Sequence, residues 1–380
     1  MRIAIVCYPT FGGSGVVATE LGIELSKRGH DIHFITYSQP VRLELLGNNV
    51  HFHEVHVPEY PLFHYQPYEL ALSSKLVDMV KLYEIELLHV HYAIPHAYAA
   101  YMAQQMLKQE GVLIPIVTTL HGTDITLVGS HPFYKPAVTF SINKSDAVTS
   151  VSESLKQDTL RLFDIEREIN VVPNFIDLDK HQRNFTDCQR TLMANDDERI
   201  ITHISNFRAV KNIPDVIAVF NKIQQKVKAK LIMVGEGPEK EHAEKLVESF
   251  GISDKVIFLG NSNEIDRILC FSDLFLLPST SESFGLAALE AMASGAPVIS
   301  TNSGGLPEVN ENGFSGYLSD VHDIDDMSEK ALSILNDNRI LMEFKANAKK
   351  QSSRFDIHQI VPMYEDIYQE TLKNYLISYK

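Results

Sequence analysis

The sequence predicts an α/β protein built from two Rossmann-like parallel-sheet domains that face each other across a cleft. Three observations carry this expectation. Short apolar runs, suited to strands buried on both faces, alternate with helical patterns of about 10–15 residues. The alternation lapses in a polar stretch at 180–199 and then restarts. At 380 residues the chain is long enough for two domains of ordinary size.

In the first half, residues 3–7 read as a buried strand, followed by a glycine-rich turn and a helix over 16–28 that Gly29 ends. A strand at 32–36 follows. Then come a helix at 68–83, a strand at 87–91, a helix at 95–109 and a strand at 116–120. A strand at 147–151, a helix at 153–163 and a strand at 170–172 complete the half. The chain crosses over near 172–177, so the domains are expected at 1–172 and 173–354. In the second half, strands at 200–204, 231–234, 256–259, 274–277 and 297–300 alternate with helices at 213–227, 239–250, 264–271 and 284–293. Helical patterns fill the chain from 326 to its end. In open parallel sheets the ligand sits at the carboxyl ends of the strands, so loops that follow strands are where chemistry is expected.

Composition narrows the function. Hydrophobic residues make up 44% and charged residues 22%, the mix of a globular protein with sizeable cores. With 34 Lys+Arg against 49 Asp+Glu, the net charge of −15 disfavours nucleic acid. The one dense basic stretch, Lys226-Val-Lys-Ala-Lys230, fits a solvated helix end. Residues 1–170 are acidic on their own, which disfavours an anionic membrane. No run approaches the ~18 apolar residues of a membrane span, and the first residues lack a signal-peptide pattern. Cys7, Cys188 and Cys270 form neither a disulfide framework nor a metal-ligand spacing, so a cytoplasmic protein is expected.

Four segments carry candidate chemistry. The richest is Pro278-Ser-Thr-Ser-Glu-Ser-Phe-Gly-Leu-Ala-Ala-Leu-Glu-Ala-Met-Ala-Ser-Gly295. A buried strand ends at Leu277 and a helix is expected from Phe284, so the free N–H groups and the helix dipole offer a phosphate site. Glu290 then lies about 9 Å along the helix, within reach of a nucleotide's ribose. Glu282, in the loop, stands where a sugar hydroxyl would arrive. The second segment, Ser205-Asn-Phe-Arg-Ala-Val-Lys211, places Arg208 and Lys211 at another strand end. Two cations at a helix start are disfavoured by the dipole and call for an anion such as a diphosphate leaving group. The third, Gly12-Gly-Ser-Gly15, allows close backbone approach before a helix, but it is neither a dinucleotide fingerprint nor a Walker loop. A tight turn without a ligand fits it equally. The fourth, Thr118-Thr-Leu-His-Gly-Thr-Asp124, sets His121 at a strand end facing the cleft, where a polar contact to the donor sugar or the reaction centre is favoured.

His89 and His91 share a strand face, as do His51 and His53. No carboxylate or cysteine stands at ligand spacing from either pair, so no metal site is expected. The triplets Asp177-Leu-Asp179 and Asp323-Ile-Asp325 fall in a linker and a surface turn and carry no expected function.

Together the four segments resemble the retaining nucleotide-sugar glycosyltransferases of family 4, which have the GT-B fold. The resemblance spans the chain and is most specific from Glu282 to Glu290, with Gly285 between. It implies that Glu290 binds the ribose, and that Glu282 lies beside the donor sugar with the backbone of Phe284, Gly285 and Leu286. It also implies that Arg208 and Lys211 hold the diphosphate, and that a last helix, about 355–380, packs back on the first domain.

Within the family, Gly12-Gly-Ser-Gly-Val-Val-Ala-Thr-Glu20, His89-Val-His-Tyr-Ala-Ile-Pro-His96 and Thr119-Leu-His-Gly-Thr-Asp-Ile-Thr126 resemble a particular branch. That branch uses UDP-N-acetylglucosamine as donor and L-malate as acceptor, the first step of bacillithiol biosynthesis. The expected catalytic residues are then His121, Glu282, Arg208 and Lys211. The expected donor contacts are Gly13, Arg208, Lys211, Glu282, Phe284, Gly285, Leu286 and Glu290. A dianionic acceptor needs hydrogen-bond donors, for which Ser14, Tyr92, Thr119, Asn206 and Arg208 are the candidates. No cofactor or metal is expected, because fixed cations can assist diphosphate departure. A family member with another acceptor (an inositol phosphate, a sugar or a lipid) stays open, as does a homo-oligomer. A UDP-N-acetylglucosamine epimerase is opposed by the Glu282/Glu290 pair. A binding module without turnover would have little use for cations and carboxylates at both ends of one site.

Overall fold

A computed structural model describes the chain except residues 11, 44–48, 60–63, 182–189, 263 and 379–380. Thirteen strands occur among the described residues. They are β1 (Arg2–Val6), β2 (Asp31–Thr36), β3 (Val50–Glu54), β4 (Leu87–His91), β5 (Ile116–Leu120), β6 (Ala147–Ser150), β7 (Ile169–Val171), β8 (Arg199–Ile204), β9 (Ala229–Val234), β10 (Val256–Gly260), β11 (Leu274–Leu277), β12 (Val298–Thr301) and β13 (Gly316–Ser319). The chain divides into two compact units, Met1–Phe175 with Ile357–Lys380, and Ile176–Asp356.

Each unit holds one all-parallel sheet. The first runs β3-β2-β1-β4-β5-β6-β7 and the second β10-β9-β8-β11-β12-β13. β1, β4 and β5 are almost wholly buried, as their uninterrupted apolar runs require of strands covered on both faces. Helices supply the cover. In the second unit, Ile213–Gln224 buries Ile213, Val216, Ile217, Phe220 and Ile223 into one core with Leu231 and Met233 of β9. Each such side chain contributes about 1.5–3 kcal/mol. The C-terminal helix Ile357–Ser378 belongs to the first unit. Glu365 there meets Arg28 Nη1 at 3.2 Å and His30 Nε2 at 2.9 Å.

Several elements depart from the sequence expectation. β3 and β13 were not anticipated, and neither was the helix Lys135–Lys144. β3 reads Val-His-Phe-His-Glu, whose half-exposed histidines hide a strand pattern. The helix expected over 95–109 runs instead from Tyr98 to Gln109. Ile94, at φ −131° and ψ 142°, is held extended by the proline that follows it. The polar stretch after 180 is partly anchored, since Arg190 donates to the carbonyls of Phe271 and Glu198 and pairs with Asp273. Cys188 lies outside the described residues. Cys7 is buried and free, while Cys270 is disulfide-bonded, which corrects the expectation of independent thiols. No helix of the described residues is long and apolar enough to cross a membrane.

Candidate active site

In each sheet the strand order reverses once, between β1 and β4 and between β8 and β11. Loops leaving the carboxyl ends of such neighbouring strands part in opposite directions and open a crevice. Ser14, Tyr92, Asn206, Arg208, Lys211 and Glu282 follow the strands at these two places, while Thr119 and His121 belong to β5 and the loop after it.

In the second unit, the loop after β8 supplies Lys211 and the loop after β11 supplies Glu282, and Lys211 Nζ lies 2.5 Å from Glu282 Oε1. The Ser279 hydroxyl donates to the same oxygen at 2.8 Å. Both charges are largely buried, with side-chain exposures of 21% and 13%, so each needs the other. Arg208, next to them in sequence, is exposed. Its guanidinium forms no hydrogen bond or ion pair among the described residues. Asn206 is exposed too.

These loops are fixed by backbone contacts as much as by side chains. Gly235 and Gly237, after β9, press on the loop of β8. A Cβ on Gly235 would stand 1.8 Å from the Ser205 carbonyl oxygen, and one on Gly237 2.0 Å from that of Asn206. Thr280 N–H donates to the Val210 carbonyl at 2.9 Å, tying the β11 loop to the β8 loop. On its other side, Gly305 N–H donates to the Glu282 carbonyl at 2.8 Å, and a Cβ on Gly304 would stand 2.0 Å from that oxygen. Underneath, buried His203 donates from Nδ1 to the Leu276 carbonyl at 2.8 Å, which leaves Nε2 to accept from the Ser205 hydroxyl at 2.8 Å. Burial lowers its pKa to about 4, so the ring stays neutral and the chain of bonds keeps one sense.

The helix after this loop is Leu286–Ala293, not 284–293. Gly285 has φ +100°, which excludes it from the helix and makes it the cap. Glu290 therefore lies about one turn, roughly 6 Å, from the helix start rather than 9 Å. It is half-buried. The Phe284 side chain is buried edge-on against Phe355 at 5.6 Å, so only its backbone can serve a ligand.

In the first unit, Gly12 and Gly13 are exposed at the start of the helix Gly13–Lys27. Ser14 Oγ lies 2.6 Å from Tyr92 Oη across the β1/β4 switch. Gly15 is obligatory there, since a Cβ would stand 2.4 Å from the Thr10 carbonyl oxygen. Tyr92 has φ +82° and its ring lies 5.0 Å from that of His121. His121 Nε2 lies 2.8 Å from His91 Nδ1, and both rings are buried. Burial lowers the His121 pKa to about 3, so the ring is neutral at pH 7. Asp124 holds this corner together. Its buried carboxylate accepts from the N–H groups of Ala93, Gly122 and His121 at 2.9, 3.0 and 3.2 Å. Burial raises its pKa against the pull of those donors.

Thr119 corrects the sequence reading. It is fully buried, and its hydroxyl lies between His89 Nε2 at 2.8 Å and Thr149 Oγ1 at 2.7 Å. It offers nothing to a ligand. Asp124, His203 and the pair Gly304-Gly305 were missed. Their signals were an aspartate closing the His121 segment, a histidine inside a buried strand, and two consecutive glycines after β12. One premise of the sequence reading also changes, since a carboxylate does stand beside one of the histidine pairs. Asp31 Oδ1 lies 2.8 Å from His51 Nε2, a carboxylate partner that no spacing along the chain announces.

Two doubly wound parallel sheets, with a lysine–glutamate pair and a helix start at one switch point, define a glycosyltransferase of the GT-B type. The family model "Glycosyltransferase Family 4" matches residues 11–180, and "Glycosyl transferases group 1" matches residues 185–351. The chain belongs to this glycosyltransferase family. It is 45% identical over 376 residues, 98% of each chain, to the N-acetyl-alpha-D-glucosaminyl L-malate synthase of Bacillus anthracis. It is 23% identical to the sulfoquinovosyl transferase of Arabidopsis thaliana over 87% of this chain and 65% of that one. Among solved structures, sucrose-phosphate synthase from Thermosynechococcus elongatus superposes with a TM-score of 0.81 at 20% identity, covering 98% of this chain and 100% of the other. Anabaena HepE in complex with UDP and glucose gives 0.82 at 18% identity over 97% and 100%.

Proposed function

We propose that this chain transfers N-acetylglucosamine from UDP-N-acetylglucosamine to the hydroxyl of L-malate with retention at the anomeric carbon, the first step of bacillithiol biosynthesis. The observation that carries the proposal is the 45% identity over 98% of both chains to an enzyme named for that reaction. The site chemistry supports it. A diphosphate is accommodated by exposed Arg208, by Lys211, and by the N–H groups of Gly285 and Leu286 at the helix start. In the first unit, Gly13 is exposed at its own helix start and is a candidate backbone donor to the nucleotide sugar. Glu290 binds the ribose and Glu282 the sugar hydroxyls. Ser14 and Tyr92 in the first unit, and separately Asn206 and Arg208 in the second, are the candidate donors for the malate carboxylates.

The reaction breaks the bond between the sugar C1 and the UDP oxygen and forms one from C1 to the malate hydroxyl oxygen on the same face. His121 cannot take the hydroxyl proton, because burial holds its pKa near 3. The proton passes to a β-phosphate oxygen of the departing UDP. His121 instead fixes the donor sugar by a hydrogen bond. Lys211 and Arg208 stabilise the charge on the leaving group, so no metal ion is required for transfer. Both substrates are soluble metabolites, which supports a cytoplasmic enzyme without a membrane or nucleic-acid partner.

The test is UDP release and product mass with UDP-N-acetylglucosamine and L-malate in EDTA. Malate-dependent release with a sugar–malate product is expected. Release that needs an inositol phosphate, a sugar or a lipid would replace the acceptor while keeping the transfer. Dependence on added Mg²⁺ would overturn the charge assignment.

A further inference from the structure

A second polar cluster lies away from these loops, toward the amino ends of the edge strand β3 and its neighbour β2. Asp31 opens β2 and His33 follows on the same face, while the parallel register sets His51 of β3 directly opposite His33. Asp31 Oδ1 is 2.8 Å from His51 Nε2, and Asp31 Oδ2 is 3.6 Å from His33 Nε2. The three candidate donor atoms all lie within 4.8 Å of one another. His33 is only 1% exposed, and its Nε2 has no hydrogen-bond partner. Its other nitrogen, Nδ1, lies 2.9 Å from His53 Nε2, and Tyr83 packs on the ring at 4.8 Å.

An Asp31–His51 ion pair by itself would leave that buried nitrogen unsatisfied, at a cost of about 1–3 kcal/mol. A cation bound between the three groups satisfies it. We propose that Asp31, His33 and His51 form a binding site for one divalent transition-metal ion, of which zinc is the best match. Two imidazoles and one carboxylate suit zinc or its first-row neighbours and not magnesium or calcium, which take oxygen ligands. Two ligands about 2.0–2.1 Å from a tetrahedral zinc sit roughly 3.3 Å apart, between the 2.8 and 3.6 Å separations found. Water completes the shell. His53 holds His33 in orientation through Nδ1, the usual arrangement behind a ligating histidine. The site lies far from the carboxyl ends of the strands, so its role is to clamp the edge strand β3 onto β2, not to serve glycosyl transfer.

The experiment uses the full chain stripped with EDTA and titrated with ZnCl₂, followed by calorimetry and heat unfolding, with MgCl₂ as the control. One zinc per chain and a rise in Tm are expected, and magnesium should give neither. The double variant Asp31→Asn/His51→Gln leaves buried His33 in place. It should bind zinc at least tenfold more weakly and lose the Tm rise, while its turnover in EDTA matches the parent. Zinc affinity and Tm shift unchanged in that variant would overturn the proposal, as would no zinc uptake by the parent. Zinc-edge X-ray absorption of the loaded parent gives an independent reading. Two imidazole nitrogens with oxygen support the site, and sulfur or all-oxygen ligation refutes it.

Discussion

Gly304→Ala tests whether the backbone around Glu282 is as tightly set as the contacts imply. The new Cβ would lie 2.0 Å from the Glu282 carbonyl oxygen, and contacts under 3.0 Å do not persist, so one backbone must move by about 1 Å. Because Gly304 has φ +61°, alanine there also costs about 1 kcal/mol in conformational energy. Moving the carbonyl breaks its bond from Gly305 N–H, worth about another 1 kcal/mol. A total near 2–3 kcal/mol leaves a folded protein whose Glu282 is displaced, and a 1 Å misplacement of a reacting group costs on the order of 100-fold in rate. Gly313→Ala is the matched control. Its φ is +76° but nothing lies within 4 Å of the new Cβ, so it should lose about 1 kcal/mol and keep its turnover. The assays are heat unfolding and UDP release from UDP-N-acetylglucosamine with malate. Equal turnover in the two variants would show that the Gly304 contact does not position the site.

Arg208→Ala removes an exposed cation with no ion-pair partner among the described residues, so it should fold normally and lower kcat by 100-fold or more with little change in UDP affinity. Glu290→Ala should do the reverse, weakening UDP binding about tenfold by calorimetry. Negligible effects from both would place the donor site elsewhere. Acid should destabilise the first unit before the second. Burial holds His89 and His121 near pKa 3 and His96 near 4, and lowers His91 well below 6.5, whereas unfolded histidine titrates near 6.5. The unfolded chain therefore binds protons first. Stability present above pH 6.5 is lost as pH falls toward 4, by about 1.4 kcal/mol per unit for each histidine. Calorimetric scans from pH 7 to 5 should show the first unit's transition moving down further than that of the second, where burial lowers His203 in this way. Parallel shifts would contradict the assignment.

The donor side was legible because its residues follow strand ends directly. Once β8 and β11 are seen as strands, Lys211 and Glu282 must leave neighbouring carboxyl ends, and the parallel sheet brings them together without help from distant sequence. Even there, the helix start was misplaced, since an apolar run shows no sign of the positive φ that ejects Gly285. Thr119 failed for a different reason. It stands inside β5, opposite His91 of β4 and Thr149 of β6, and its face also carries His89. That face is covered by the C-terminal helix, whose Tyr368 reaches His89 Nδ1 at 2.7 Å across 279 residues of chain. Polar threonines near a strand end look like ligand contacts until the covering element is known.

Asp31 and His51 mark the same boundary. They lie 20 residues apart in the chain, and only the register of β2 on β3 makes them neighbours. Spacing rules for metal sites work when the ligands share one helix, hairpin or loop, where local geometry sets their separation. In a parallel sheet the crossover length is free, so ligand spacing along the chain carries no information and strand register carries all of it. The histidine pairs at 51/53 and 89/91 looked alike in sequence for that reason. His89 is closed in by Tyr368 and Thr119, while His51 faces a carboxylate and a buried nitrogen that lacks a partner.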